Sequence, residues 1–344
     1  MADIVKMFTS GFWRYVVSWV LPCAAFLGGL LLTVYPSIKN LPVLKSIDTV
    51  ASADTTLGLF IFGGVTLGIS AVLALSYEPI YRLWEGYTWP KPLFMFGRGR
   101  EIERYRSLKT KRNTNLKLAK KASEEHNDDL TAYHSTKRAL LGERSQQFPE
   151  YEEDFLPTRL GNGLRAAERY GYERYGLDSQ TLWYELGAAT PEDLAEELNA
   201  ARGVVDFFIS AATLSSLYVL IAIGAALAKL DWVFACYALI AVIISRLSYL
   251  HAARSTDAIA GAQRAIVNVS RNKLASLFNL AVPDDIDREQ AMWRALKAFV
   301  VNGKSDALRR WRKPASQDQK EEQENDGAVG DGRPAASLPA GKGS

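Results

Sequence analysis

Five side chains between positions 206 and 224 share one face of a helix. At 100° per residue, Asp206, Ser210, Thr213, Leu217 and Gly224 lie within about 40° of the Asp206 direction. Ser216 falls on the flank and Ser215 points the opposite way. A carboxylate, two hydroxyls and a glycine in line through an apolar stretch can border a water-filled path, with Leu217 as a constriction that closes by dewetting. The same hydroxyl residues can instead pack against a neighbouring helix, each bonding its own backbone. Sequence leaves both readings open.

A second chemistry sits in the basic run 98–121, "RGREIERYRSLKTKRNTNLKLAKK". Arg104, Arg106, Lys109, Lys111 and Arg112 are the candidates to hold an anionic ligand, such as a nucleotide or oligonucleotide. The alternative is a topology determinant lying beside acidic lipid. Enzyme signatures are missing: there is no phosphate-binding G-x-x-x-x-G-K-[ST], no H-E-x-x-H and no G-x-S-x-G. His126, His134 and His251 lack ligand spacing, and the glycines of "FGRGRE" around Gly97 follow no strand. No catalytic, cofactor or metal site is expected.

These residues must be positioned by membrane-spanning helices. Charged residues make up 23% of the 344 positions and the mean hydropathy is near neutral, but that average conceals segregation. Runs at roughly 15–35, 57–77, 204–228 and 232–250 are almost purely apolar, each close to the ~20 residues that cross a hydrocarbon core as a helix. Residues 207–228 and 232–245 carry no charge, and Lys229 and Asp231 stand between them. Those two charges mark the tip of a helical hairpin and the outer mouth of any path along it. A single span would bury both, at about 2.5–3.5 kcal/mol each. Trp232 suits the headgroup level.

Lys and Arg placement gives orientation. Between Arg82 and Lys121 stand twelve Lys/Arg and three Glu, whereas the loop 36–56 carries only Lys39 and Lys45. Both termini and the middle segment are therefore expected in the cytoplasm, with the two short loops facing outward. A signal peptide over 11–36 is disfavoured by its length and by the lack of a small-residue cleavage site. Cys23 and Cys236 lie inside spans and read as packing residues.

The chain divides into a first transmembrane hairpin (1–81, spans about 12–35 and 57–81), a helical cytoplasmic domain (82–203), a second hairpin (204–251), a helical extension (252–312) and a disordered tail (313–344). The bend "WEGYTWPKPLFMF" is expected along the headgroup layer. Thr190-Pro-Glu-Asp193 reads as a helix N-cap, and Pro283-Asp-Asp285 starts a short helix with Met292, Trp293, Leu296 and Phe299 on one face. Gly64-x-x-x-Gly68 reads as a helix-contact pair. Glu78-Pro79 marks a bend. Arg246, inside the end of span four, either snorkels to the headgroups or pairs with an acid such as Asp206 or Glu78.

The stretches "FLPTRLGNGLRAAERYGYERYGLDSQTLWYEL" and "SRNKLASLFNLAVPDDIDREQAMWRALKAFV" resemble a widespread group of four-span bacterial membrane proteins over about 150–300, most recognisably at "PTRLGN" and at D/E-R-E-x-A-x-W. The resemblance carries no functional residue with it. The architecture is also similar to that of membrane effectors in phage defence. Together these give the expectation of an all-α, homo-oligomeric ion channel or membrane-permeabilising effector, gated through its cytoplasmic domain. The alternative is a non-conducting scaffold that recruits a cytosolic protein.

Overall fold

The computed structural model describes residues 11–38, 55–229 and 231–313. The loop carrying Lys39 and Lys45 and the expected tail beyond 313 lie outside them. Among the described residues every regular element is a helix, and the one other pairing is an isolated bridge between Leu280 and Arg312. In chain order the helices are α1 (Gly11–Thr33), α2 (Thr55–Leu75), α3 (Tyr77–Glu85), α4 (Lys91–Glu124), α5 (Asp128–Ser145), α6 (Arg159–Tyr175), α7 (Trp183–Ala189), α8 (Glu192–Lys229), α9 (Trp232–Leu277) and α10 (Ile286–Asn302), with a last short turn Asp306–Arg309.

Four of these, α1, α2, α8 and α9, are long and apolar enough to cross a membrane. Their apolar stretches stay largely uncovered by protein: Leu75 is 85% exposed, Phe60 75% and Leu227 73%. A water-soluble fold does not leave so much contiguous apolar surface, whereas lipid solvates it without cost. Interior packing there is confined to small clusters, such as Trp19, Cys23, Leu73 and Leu214. Cys236 is exposed.

At 1.5 Å per residue, α8 is about 57 Å long and α9 about 69 Å, against a hydrocarbon core of about 30 Å. Each therefore continues well beyond the membrane into a polar domain. There they share one core with α6, α7 and α10, in which Leu160, Leu177, Leu182, Leu274, Met292, Trp293 and Leu296 are fully buried. Ile259, Ala262, Ile266 and Leu274 face that core from α9 as their spacing requires, but Val269 and Leu277 are exposed at 58%. Along the apolar part, α8 and α9 pack closely through small side chains, with Ala212, Ala222, Ala238 and Ala241 buried and Ser216 Oγ 2.9 Å from Ser245 Oγ. The long pair α4 and α5 lies against itself, turning at His126 (φ 56°) with the Asn127 side chain capping α5.

Local chemistry explains the boundaries. Asp231 caps α9 by accepting from Val233 N at 3.0 Å, and Asp285 caps α10 from Asp287 N at 3.0 Å. The helix begun there has 17 residues and buries Met292, Trp293 and Leu296. Thr190 does not cap α8. Its hydroxyl donates backward to Leu186 O at 2.7 Å and closes α7, and Pro191 O accepts the first bond of α8 from Ala195. The bend near Pro79 falls at Ser76: Pro79 has no N–H for the carbonyl four residues earlier, so the ladder breaks between Leu75 and Tyr77. Within α1, Pro22 has the same effect and the turn Val16–Val20 widens to a π-helix.

Two glycine readings are settled by space. An added Cβ at Gly64 or Gly68 meets nothing within 4 Å, so this pair makes no contact within the described chain. At Gly97 a Cβ would stand 2.7 Å from Pro157 Cβ and 2.8 Å from Pro157 O. Gly97 lets α4 pass over Pro157.

Candidate functional site

Most of the polar residues inside the apolar helices are joined across helices. Asp206 is 6% exposed; its carboxylate accepts from the Arg14 guanidinium at 2.8 Å and from the Tyr81 hydroxyl at 2.7 Å. Trp84 Nε1 donates to Thr213 Oγ1 at 2.9 Å, Ser18 donates to Gly203 O at 3.0 Å, and Tyr15 meets Ser70 at 2.7 Å. Higher up, the Thr33 and Tyr218 hydroxyls are in contact. Together these bonds tie α1 to α2, and α1 and α3 to α8. In an apolar solvent, unpaired polar groups are costly, so such bonds fix which helix faces meet.

The stripe on α8 thereby splits in two. Asp206, Ser210 and Thr213 are turned into the protein: Ser210 is fully buried and donates to Asp206 O at 2.8 Å, and Thr213 donates to Ile209 O at 2.8 Å. Leu217 is 45% exposed and Gly224 opens to empty space on the outer surface. Lys229 ends α8, and Asp231 is engaged as the cap of α9. Arg246 does not pair with Asp206 or Glu78. Asp206 takes Arg14, Glu78 takes Arg82 at 2.6 Å, and the Arg246 guanidinium stands over the Tyr249 ring at 5.6 Å.

In the basic run, Arg106 is held bidentately by Glu152 at 2.7 and 3.1 Å, Arg104 by Glu101 at 3.2 Å, and Lys109 lies over the Tyr105 ring at 5.0 Å. Lys111 is exposed and Arg112 half-buried. The run therefore meets its own domain with three of its five candidates. The histidines serve packing: His134 bonds Asn115 at 3.0 Å and His251 stacks on Phe208.

Around Asp206 the helices leave a cavity of about 880 Å³ where the apolar helices meet the polar domain. Seven helices line it, and six of them supply its larger polar side chains: Arg14 from α1, Tyr81 and Glu85 from α3, Glu168 from α6, Trp183 from α7, Arg202 and Asp206 from α8, and Gln263 from α9. The Arg202 guanidinium lies 5.0 Å over the Trp183 ring. Burial pushes the Glu85 carboxyl up to about 7; Glu168 adds to the rise and Arg82 opposes it. Burial also raises Glu168, against the opposing charges of Arg165 and Arg202. The Gln263 Oε1 is buried with no hydrogen-bond partner among the described residues. The cavity lining therefore combines guanidiniums (Arg14, Arg82, Arg202), two carboxyls raised by burial, Glu85 to about 7 and Glu168 in the same direction, and an unused acceptor at Gln263. Sequence reasoning reached only Asp206 of this set. Arg14 and Arg202 carried one signal, as the charges flanking apolar runs, but nothing local brings six segments together.

The two sequence stretches behind the resemblance are structural joints. Asn162 brackets Leu156, accepting from its N at 2.8 Å and donating to its O at 3.0 Å. Thr158 caps α6 and donates to Glu85 O at 2.9 Å. Glu289 accepts from Trp293 Nε1 at 3.0 Å and Arg271 Nε at 3.1 Å.

Fold and polar network define a multi-pass, all-helical membrane protein with a charged cavity where its apolar helices enter a polar domain. Compared with known proteins, the chain matches no family model, no curated protein and no solved structure.

Proposed function

We propose that the chain is a homo-oligomeric membrane effector that conducts ions when a ligand or partner acts on its polar domain. In this reading the domain and both termini are cytoplasmic, the membrane is the bacterial inner membrane, and phage defence is the setting. The observation that carries the reading is helix continuity. α8 and α9 run unbroken from the core of the polar domain through their apolar stretches, so a shift in the domain moves both spans as rigid levers. The Arg14–Asp206–Tyr81 contact is the latch, since it joins α1 and α3 to the lever at the boundary. Four spans enclose too little space for a wide pore, so several copies surround the path, with Leu217 as its constriction.

A non-conducting scaffold is favoured by one observation: Asp206, Ser210 and Thr213 are engaged in hydrogen bonds within the chain. Current recording from purified protein in planar bilayers separates the two. Arg14→Ala or Asp206→Asn should raise the open fraction of a channel, and silence in wild type and both variants leaves the scaffold. Accessibility of tags at residues 45 and 230 from outside, with residue 130 protected, tests the orientation.

A further inference from the structure

A second groove, about 550 Å³, opens beside the apolar part of α8 and α9 on the side facing the α3–α4 bend. Its upper wall is Val219 and Val242; its lower wall carries Trp84, Trp89 and Phe96. Three guanidiniums converge on it from three elements: Arg100 of α4, Arg159 of α6 and Arg246 of α9. Among the described residues, none of the three side chains has an acid or a hydrogen-bond acceptor as partner. The one acid at the groove, Glu101, is 4% exposed and taken by Arg104. Arg159 is held below the usual guanidinium range first by burial and then by its like-charged neighbours Arg104 and Arg246, with Glu101 opposing. Snorkelling alone would carry Arg246 to the headgroups with no need for Arg100 and Arg159 beside it.

The bend next to the groove places apolar side chains outward from an otherwise polar segment: Tyr87 and Leu93 are 48% exposed, Met95 54% and Phe96 69%. Trp89 Nε1 reaches back to Leu83 O at 2.9 Å and fixes the bend. Aromatic and apolar residues alternating with arginines at the end of spanning helices are the composition of a headgroup-level surface.

We propose that this groove binds one anionic phospholipid, its phosphodiester on Arg100, Arg159 and Arg246 and an acyl chain along Val219 and Val242. The charges match in sign: three guanidiniums without counter-ions meet a phosphodiester, a group that guanidinium geometry suits. Basic pockets between spanning helices at a membrane face bind acidic headgroups in general. The apolar half of the groove continues the acyl region, which no free anion would use. The lipid would clamp α4 and α6 to α9, so anionic lipid becomes a condition for the domain to act on the spans.

The test is native mass spectrometry of full-length protein released from nanodiscs of phosphatidylcholine mixed with phosphatidylglycerol. Wild type should retain phosphatidylglycerol selectively. Arg100→Gln/Arg159→Gln/Arg246→Gln should weaken retention about tenfold or more, since each cation near the surface contributes on the order of 1 kcal/mol. Lys117→Gln/Lys120→Gln/Lys121→Gln removes the same charge from an exposed face of α4 and should retain the lipid like wild type. Should the first triple variant fail to assemble, Arg100→Gln alone, at an exposed side chain, should still lower retention. Equal loss in both triple variants, undiminished retention in Arg100→Gln and the groove variant, or a non-lipid anion retained with phosphatidylglycerol absent would overturn the proposal.

Discussion

Arg14 and Asp206, 192 residues apart in sequence, meet at 2.8 Å, with Asp206 almost wholly buried and Arg14 half-buried. A second guanidinium, Arg202, lines the same cavity and lies over Trp183, so Arg14 alone forms the ion pair with this carboxylate among the described residues. Removing the acid leaves the half-buried Arg14 without its counter-ion. Asp206→Ala is expected to destabilise the detergent-solubilised protein by about 3 kcal/mol, the usual cost of leaving half of a buried pair. Arg14→Ala/Asp206→Ala should recover part of the loss. Thermal unfolding of the four-member cycle measures the coupling, and additive single effects would show that the contact is energetically idle.

The pH dependence of the cavity has a definite sign. Glu85 titrates near 7 in the folded protein against 4.5 in the open chain, because burial and Glu168 disfavour its charge more than Arg82 favours it. The folded state thus binds more protons than the unfolded one between those values. Stability from this group is complete below about 4.5 and is lost as pH rises through about 7. Glu168, shifted the same way, adds to the slope. Melting temperature should fall from pH 5 to pH 8 in wild type, and Glu85→Gln should flatten the fall. An unchanged slope in Glu85→Gln would place the titration elsewhere.

What could be read from sequence followed the range of the interaction that decides it. Span lengths, the helix start at Asp285 and the apolar face of α10 are local, and each was legible; the cap at Asp231 is equally local, but its charge reads first as a hairpin tip. The α8 stripe was legible as a face, but its use was not. Whether Ser210 and Thr213 meet water or protein depends on α1 and α3, whose approach is set by Arg14, Ser18, Tyr81 and Trp84 from distant segments. Thr190 illustrates a local competition: one hydroxyl can close the preceding helix or open the next, and the pattern does not say which. The basic run shows a similar limit, since the partner of Arg106, Glu152, lies 46 residues away and nothing in the run itself announces it.

Packing between the domain and the spans rests on the crossing of α6 and α9. An added Cβ at Gly163 would overlap the Thr256 hydroxyl and stand 3.0 Å from Thr256 Cβ. Gly163→Ala is expected to cost about 1–3 kcal/mol by forcing the two helices apart. Thr256→Ala in the same chain removes the hydroxyl and methyl and should restore part of that loss. Urea or thermal unfolding of the single and double variants checks this. A double variant no better than Gly163→Ala would locate the strain elsewhere.

The latch and the stripe yield a joint prediction about conduction. Ser210 is fully buried and Thr213 half-buried, while Leu217 and Gly224 lie on the surface of a single chain. Cys236 is exposed and must first be replaced by Ser, so that only introduced thiols report. In assembled, resting protein, cysteine at 210 or 213 should resist water-soluble thiol reagents. Cysteine at 217 should also react slowly if copies close around it. Adding Arg14→Ala releases α1 from α8, and reaction at 210, 213 and 217 should then accelerate together, about tenfold or more, as a path along the stripe fills with water. Cysteine at 215, on the opposite side of the helix, should not follow. Leu217→Ser should make resting protein leaky to ions in liposomes, and Leu217→Trp should silence the Arg14→Ala variant. Each step separates a path from a packed interface, because loosening a packed interface exposes 215 as readily as 213. Uniform acceleration around the helix, with no ion flux in Leu217→Ser, would remove the channel and leave the scaffold.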